Sequence, residues 1–209
     1  MDILDNHFAA AMQEYINKFE LGRVYSNPYA HSFKPLTEMS SIRKVRIFDF
    51  DDTLAKVKTK IHVKNNGKEF ILTPAEFAVY VPKKGDVFNF TEFNKIIKGA
   101  TPIQKNIELL KQAAEDPAVR TTILTARLLA FPVKYYLQTN FNLNIYVVAL
   151  GDGDPQKKAD YIEKQIKRGY NDITFIDDSI KNVKVVDALK AKYPEVKLQV
   201  THTTEHTKL

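Results

Sequence analysis

From residue 44 to residue 200 the chain alternates short apolar runs with stretches whose apolar side chains recur at helical spacing, and few architectures accept that order. Strands are predicted over 45–48, 119–124, 145–150, 173–176 and 196–200. Helices are predicted between them. One is opened by Thr101-Pro102 as cap and first-turn proline, carries Ile107, Leu109 and Leu110, and is stopped by Pro117. A second covers 128–137. A third is entered through Gly151-Asp152-Gly153-Asp154-Pro155, carries Tyr161, Ile162 and Ile166, and is closed by Gly169. Ser179 caps a fourth. Strands alternating with helices imply an α/β chain with a parallel sheet, right-handed crossovers and helices on both faces. In open sheets of this class ligands bind beyond the carboxyl ends of the strands.

Two segments break the alternation. Between the first strand and the Thr101 helix lies an insertion over roughly 56–100. In it, 59–64, Asn66-Gly67 and 69–72 read as a hairpin with a glycine turn, and Thr73-Pro74-Ala75-Glu76 as a capping box. The helix so started carries Phe77 and Tyr80 and ends near Pro82; Phe88, Phe90 and Phe93 follow a lysine-rich turn. The insertion is read as a small lid over the active site. Ahead of the first strand, residues 1–41 form an extension: Leu4, Phe8, Met12, Tyr15, Ile16 and Phe19 recur at helical spacing, Gly22 ends the pattern, and an extended connector follows. That amphipathic helix is a candidate for docking on the main domain, for self-association, or for binding a partner. The domain itself is expected over 42–209.

Composition narrows the classes. The sequence of 209 residues, 44% hydrophobic and 27% charged, suits one soluble globular domain. With no cysteine it has no disulfide, zinc-thiolate site or thiol nucleophile. Its apolar stretches are too short to span a bilayer, and its first residues lack a basic segment leading into an apolar run. A cytoplasmic location is therefore expected, the host cytoplasm for a viral protein. The net charge of +6 favours an anionic partner: a nucleotide, a nucleic acid or another phosphate compound.

Ile47-Phe48-Asp49-Phe50-Asp51-Asp52-Thr53-Leu54 places three carboxylates within four residues directly after an apolar strand. Packing alone does not ask for this, because clustered like charges repel and are costly to desolvate. A divalent cation removes the objection, and hard cations prefer carboxylate oxygens. Asp49-Phe50-Asp51-Asp52-Thr53 resembles the Asp-x-Asp-x-Thr signature of the haloacid dehalogenase (HAD) superfamily. The resemblance implies a Rossmann-like three-layer α/β/α sandwich. It makes Asp49 the nucleophile that forms an aspartyl-phosphate, and Asp51 the group that protonates the leaving oxygen and later deprotonates water. The dehalogenase branch lacks the second Asp, so its presence here implies phosphate chemistry.

Further motifs follow in that family's order. Ile123-Leu124-Thr125-Ala126-Arg127 ends the second strand, and the resemblance gives Thr125, with Thr53 and Arg127, to the substrate phosphate. The plainer readings are a helix cap for Thr125 and a surface ion pair for Arg127. Lys157 and Lys158 begin the helix after Pro155, where the family places a lysine that neutralises nucleophile and phosphate; the local pattern favours Lys158. Thr174-Phe175-Ile176-Asp177-Asp178-Ser179 ends a strand in paired acids. The resemblance makes Asp178 a ligand of Mg2+ beside Asp49, with Asp177 in support and the Asp51 carbonyl as a further ligand. Asn182 is placed to orient a metal-bound water. His62 is expected to be structural, and His202 and His206 to have no defined role.

The versions of these motifs resemble those of polynucleotide phosphatase domains and phage-type phosphatases, and the insertion resembles segments of proteins encoded by bacteriophages. A phosphorylated nucleic-acid end or a nucleotide is the expected substrate, with sugar phosphates behind. Lysines 56, 58, 60, 64 and 68, interleaved with Phe70, Phe77 and Tyr80, would either grip a base or strand or form a solvated face over a small aromatic core. The competing reading is a catalytically silent binding or scaffold module working through its N-terminal helix. Receiver domains also combine paired acids with Asp, Thr and Lys, but there the pair precedes the phosphorylated Asp.

Overall fold

The computed structural model describes residues 42–203, so the helix and connector expected over 1–41, and His206, lie outside the described residues. The first strands in chain order are β1 (Lys44–Phe48), β2 (Ala55–Lys56), β3 (Ile61–Asn65), β4 (Lys68–Leu72), β5 (Val87–Asn89) and β6 (Thr101–Pro102). The strands β7 (Val119–Thr125), β8 (Tyr146–Ala149), β9 (Asp172–Asp177) and β10 (Lys197–His202) follow. The helices are α1 (Pro74–Val79), α2 (Gln104–Glu115), α3 (Phe131–Phe141), α4 (Pro155–Lys167), α5 (Ile180–Asp187) and α6 (Leu189–Lys192).

Five strands form a sheet in the order β10-β9-β1-β7-β8, and every neighbouring pair is parallel. The two-residue period of a strand divides its side chains between two layers. Val45 and Ile47 of β1, with Leu124, Ile173, Phe175 and Leu198, pack on Ala159, Ile162 and Ile166 of α4 and on Val186 of α5. Phe48, Ile123, Val147 and Ile176 face the other way, onto Ile107 and Leu110 of α2 and Val133, Tyr136 and Leu137 of α3. The result is the expected three-layer α/β fold. From β1 the chain moves to β7 and β8 on one side, then crosses back to β9 and β10 on the other. The carboxyl ends of β1, β7 and β9 therefore frame a crevice at the point where the strand order reverses.

The insertion has its own layer, a three-stranded antiparallel sheet in the order β4-β3-β5. Asn66 and Gly67 both take positive φ, 47° and 78°, as a two-residue hairpin turn of the primed type requires. The capping box forms: Thr73 Oγ1 accepts from the Glu76 amide at 3.2 Å and Glu76 Oε2 from the Thr73 amide at 2.8 Å. The aromatic rings pack on one another. Phe77 meets Phe88 and Phe90 edge-on, at 5.3 Å in both cases, and Phe70 lies 5.9 Å from Tyr80. They form a cluster that is half-buried at Phe77, Tyr80 and Phe88 and exposed at Phe70 and Phe90.

Two helix starts differ from expectation. Thr101-Pro102 opens no helix. It is β6, paired antiparallel with β2, and α2 starts at Gln104 with Ile103 at the cap. Proline has no N–H to lose on a two-residue ladder, so a signal shared by caps and strand edges resolved to the edge. The next helix starts at Phe131, not 128, because Pro132 sits in its first turn, and Asn142 closes it in the left-handed conformation. Among the described residues no helix is long and apolar enough to cross a membrane.

Candidate active site

The loop after β1 is anchored by its apolar residues. The Asp49 amide donates to the Ile176 carbonyl at 2.9 Å, so the parallel pairing continues one residue past the strand. The Leu54 and Ala55 amides then both donate to the Phe50 carbonyl, and Asp52 takes φ 55°, a left-handed conformation that Asp tolerates better than most residues. Phe50 and Leu54 are wholly buried. With those two in the core, the carboxylates of Asp49 and Asp51 stand at the crevice.

Asp154 caps α4, its side chain accepting from the Gln156 amide at 2.9 Å, and Pro155 follows. The first turn thereby buries Lys158 and leaves Lys157 in solvent. Lys158, only 4% exposed, donates from Nζ to Asp49 Oδ1 and to Asp177 Oδ2, both at 2.7 Å. Asp177 also accepts from the Ser179 amide at 2.8 Å, and the Asn182 amide group reaches both of its oxygens at 3.0 Å. Asn182, expected to orient a metal-bound water, buttresses Asp177 through these two bonds. Ser179 occupies the cap position of α5 without a side-chain capping bond.

Thr53, expected on the substrate phosphate, faces the other way. It is fully buried; its hydroxyl donates to Asp178 Oδ1 at 3.0 Å and accepts from the Asp178 amide at 3.0 Å. Its one proton is committed to Asp178, which it fixes. Three further residues hold the same edge. Asn106 Nδ2 donates to the Thr53 carbonyl at 2.7 Å and to Thr203 Oγ1 at 3.1 Å. The Thr203 amide donates to the Asp177 carbonyl at 3.0 Å, and His202 Nε2 to the Asp178 carbonyl at 2.7 Å. His202 thus has a defined place, contrary to expectation. Its only signal in the sequence was its position just after the last predicted strand, on the edge that carries the acids.

Asp49, Asp177 and Asp178 each bring a carboxylate oxygen within 4.8 Å of the others. One ammonium shared among three carboxylates leaves excess negative charge. Burial, and then Asp177, Asp178 and Asp51, raise the Asp49 carboxyl well above the usual carboxylate range, against the pull of Lys158. Burial and Asp177 push the Asp178 carboxyl up to about 6. Burial works against the Lys158 ammonium too, but Asp49 and Asp177 outweigh it and hold its pKa above the ordinary value. Among the described residues, the second oxygens of Asp49 and Asp178 accept no hydrogen bond, whereas both oxygens of Asp177 are taken. An all-oxygen set with unbalanced negative charge suits a hard divalent cation.

On the other side of Asp49, Arg127 grips Asp51. Its Nε donates to Asp51 Oδ2 at 2.9 Å and Oδ1 at 3.2 Å, and its Nη2 to Oδ1 at 2.6 Å. Nη1 donates to the Phe93 carbonyl at 2.7 Å. Arg127 was expected on the substrate phosphate or in a surface ion pair; its pair with Asp51 is not at the surface, since its side chain is only 1% exposed. Thr125 is fully buried at the end of β7, with its hydroxyl accepting from the Arg127 amide at 3.2 Å. It caps no helix, because α3 starts six residues on.

No family model and no curated protein matches the sequence. Among solved structures the chain is similar to the HAD domain of the effector protein Lem4 from Legionella pneumophila, determined as an inactive mutant. The identity is 12%, the match covers 80% of this chain and 89% of that chain, and the TM-score is 0.46.

Proposed function

We propose that the chain is a Mg2+-dependent phosphohydrolase of the HAD type, acting through an aspartyl-phosphate on a phosphorylated nucleic-acid end or a nucleotide. The observation that carries this reading is the buried cluster at the carboxyl ends of β1 and β9: Asp49 tied to Lys158, with Asp177 and Asp178 within 4.8 Å. The donor set fits Mg2+, which Asp49 and Asp178 would hold, with Asp177 beside them as the buried anchor. When bound, the ion supplies positive charge between an anionic nucleophile and an anionic phosphoryl group.

Lys158 aims Asp49 and pulls its carboxyl toward the ionised form, a pull that a bound cation would reinforce, so that a carboxylate oxygen attacks phosphorus while the bond to the leaving oxygen breaks. Asp51 donates the proton that the leaving oxygen takes. A water then attacks the phosphorus of the aspartyl-phosphate, Asp51 accepts its proton, and the Asp49 oxygen leaves as carboxylate. Buried polar contacts hold the framework still: Thr53 and His202 on Asp178, Asn182 and Ser179 on Asp177. For the substrate, residues 56–100 hold nine lysines against four acidic residues, which supports a polyanion approaching over the insertion.

The test is phosphate release in Mg2+ from p-nitrophenyl phosphate, nucleotides, and 3′- and 5′-phosphorylated oligonucleotides, with Asp49→Asn in parallel. Release that needs the metal and disappears in the variant, with oligonucleotide ends or nucleotides turned over best, is the expected result. Full turnover by Asp49→Asn, or activity that survives thorough chelation, would sink the reading.

A further inference from the structure

We propose that Arg127 is a positioning residue that ties the seating of the insertion to the orientation of Asp51, so that the insertion governs protonation of the leaving oxygen. This rests on the phosphohydrolase reading above. A carboxylate that accepts on both oxygens from one guanidinium presents no proton to a leaving group, so Asp51 has to change partner before it can act. What holds it is not the crevice alone. Besides Asp51, the guanidinium donates to the Phe93 carbonyl at 2.7 Å and, at a longer 3.4 Å, to Thr59 Oγ1. It also lies over two rings, Phe93 at 5.1 Å and Phe50 at 5.7 Å.

Thr59 and Phe93 stand at opposite ends of the insertion. Thr59 precedes β3, and Phe93 lies in the 3-10 turn Thr91–Asn94 that follows β5. The two ends are tied to each other through Glu92, which accepts from the Lys60 amide at 3.0 Å and pairs with His62 Nε2 at 2.7 Å. One guanidinium therefore senses both ends of the insertion and one carboxylate of the candidate active site. It is buried, and a buried charge that loses a partner is strongly disfavoured. When a substrate displaces the turn, Arg127 loses the Phe93 carbonyl and ring together, and its hold on Asp51 is set anew. Asp51 then turns toward the leaving oxygen. The gate acts on proton delivery and leaves the attack by Asp49 alone.

Leaving groups separate these steps. p-Nitrophenolate departs without a proton, whereas the sugar oxygen of a nucleoside 5′-monophosphate needs one. The experiment measures leaving-group release in the first turnover, before Asp51 acts on water, together with kcat and KM, for both substrates in Mg2+ with the wild type, Phe93→Ala, Phe93→Leu, Arg127→Met and Arg127→Lys. Thermal melts are run alongside, and Phe93→Leu keeps apolar bulk should Phe93→Ala fold poorly. Phe93→Leu is expected to leave first-turnover release of p-nitrophenolate within about twofold and to change first-turnover release of the nucleoside by about tenfold, well inside the range general acid–base groups supply. Arg127→Met should likewise alter the ratio of the two first-turnover rates. Arg127→Lys should not restore it, because a point charge cannot hold Asp51 and the Phe93 carbonyl together. Equal losses on both substrates, or restoration by lysine, would overturn the coupling while leaving the phosphohydrolase reading intact. A folded wild type that releases phosphate from neither substrate would remove that reading, and the coupling with it.

Discussion

Asp178 shows what the cluster costs when no cation balances it. Its carboxyl, pushed up to about 6 by burial and Asp177, binds a proton more tightly in the folded chain than in the unfolded one. The stability it contributes is fully present below about pH 4 and is lost as pH rises through about 6. That loss is on the order of 3 kcal/mol, in the chelated protein. Asp178→Asn, which keeps an acceptor for Thr53, is expected to be more stable than wild type at pH 7.5 in EDTA. Its advantage should vanish at pH 4 and shrink on adding Mg2+. Urea melts at the two pH values check this, and an advantage that does not change with pH would count against it. The sequence named Asp49, Lys158, Asp177 and Asp178, and the fold brings these four together, because each follows a strand end or opens a helix on one edge of the sheet. The partners of Thr53, Arg127, Asn182 and His202 were not legible in the same way. Whether a buried hydroxyl or guanidinium meets a ligand or a neighbouring acid depends on contacts across 125 residues for Thr53 and 76 for Arg127.

At the scale of elements, the strands were readable because their apolar period is set by burial on both faces, while helix starts were less so. Thr101-Pro102 carries a cap-and-proline signature that a two-residue edge strand satisfies as well, and only the pairing with Ala55 and Lys56 decides between them. Pro155 and Pro132, each in the first turn of a helix of eleven residues or more, mark true starts. Contacts between helices are equally tertiary. Glu163 of α4 accepts from Lys192 of α6 at 2.8 Å and from the hydroxyl of Tyr193 at 2.5 Å, with Lys167 at 2.9 Å. Those bonds hold its carboxyl down to about 2. A depressed carboxyl contributes stability above its unfolded pKa, near 4.5, that is lost as pH falls through about 2. Glu163→Gln should therefore be less stable than wild type at pH 6 and approach it as pH falls to 2.5. The difference in urea midpoint at the two pH values measures this, and an equal gap at both would contradict it.

For the molecule as a whole, strand order matters more than any single residue. Because the chain leaves β1 in one direction and returns on its other side, the acids after β1 and β9 meet at one crevice, with Thr125 and Arg127 arriving from β7. The insertion enters between β1 and β7, so it is rooted at that crevice, through the pairing of β2 with β6. On the proposed function, its basic composition serves to attract an anionic substrate and its contacts with Arg127 to control Asp51. Both depend on Asp49 being a nucleophile. The most direct test stops a turnover in acid, reduces the protein with borohydride and locates the product by peptide mass spectrometry. Homoserine at position 49, formed only with substrate and Mg2+, is the expected result. Steady phosphate release with Asp49 unmodified would contradict it.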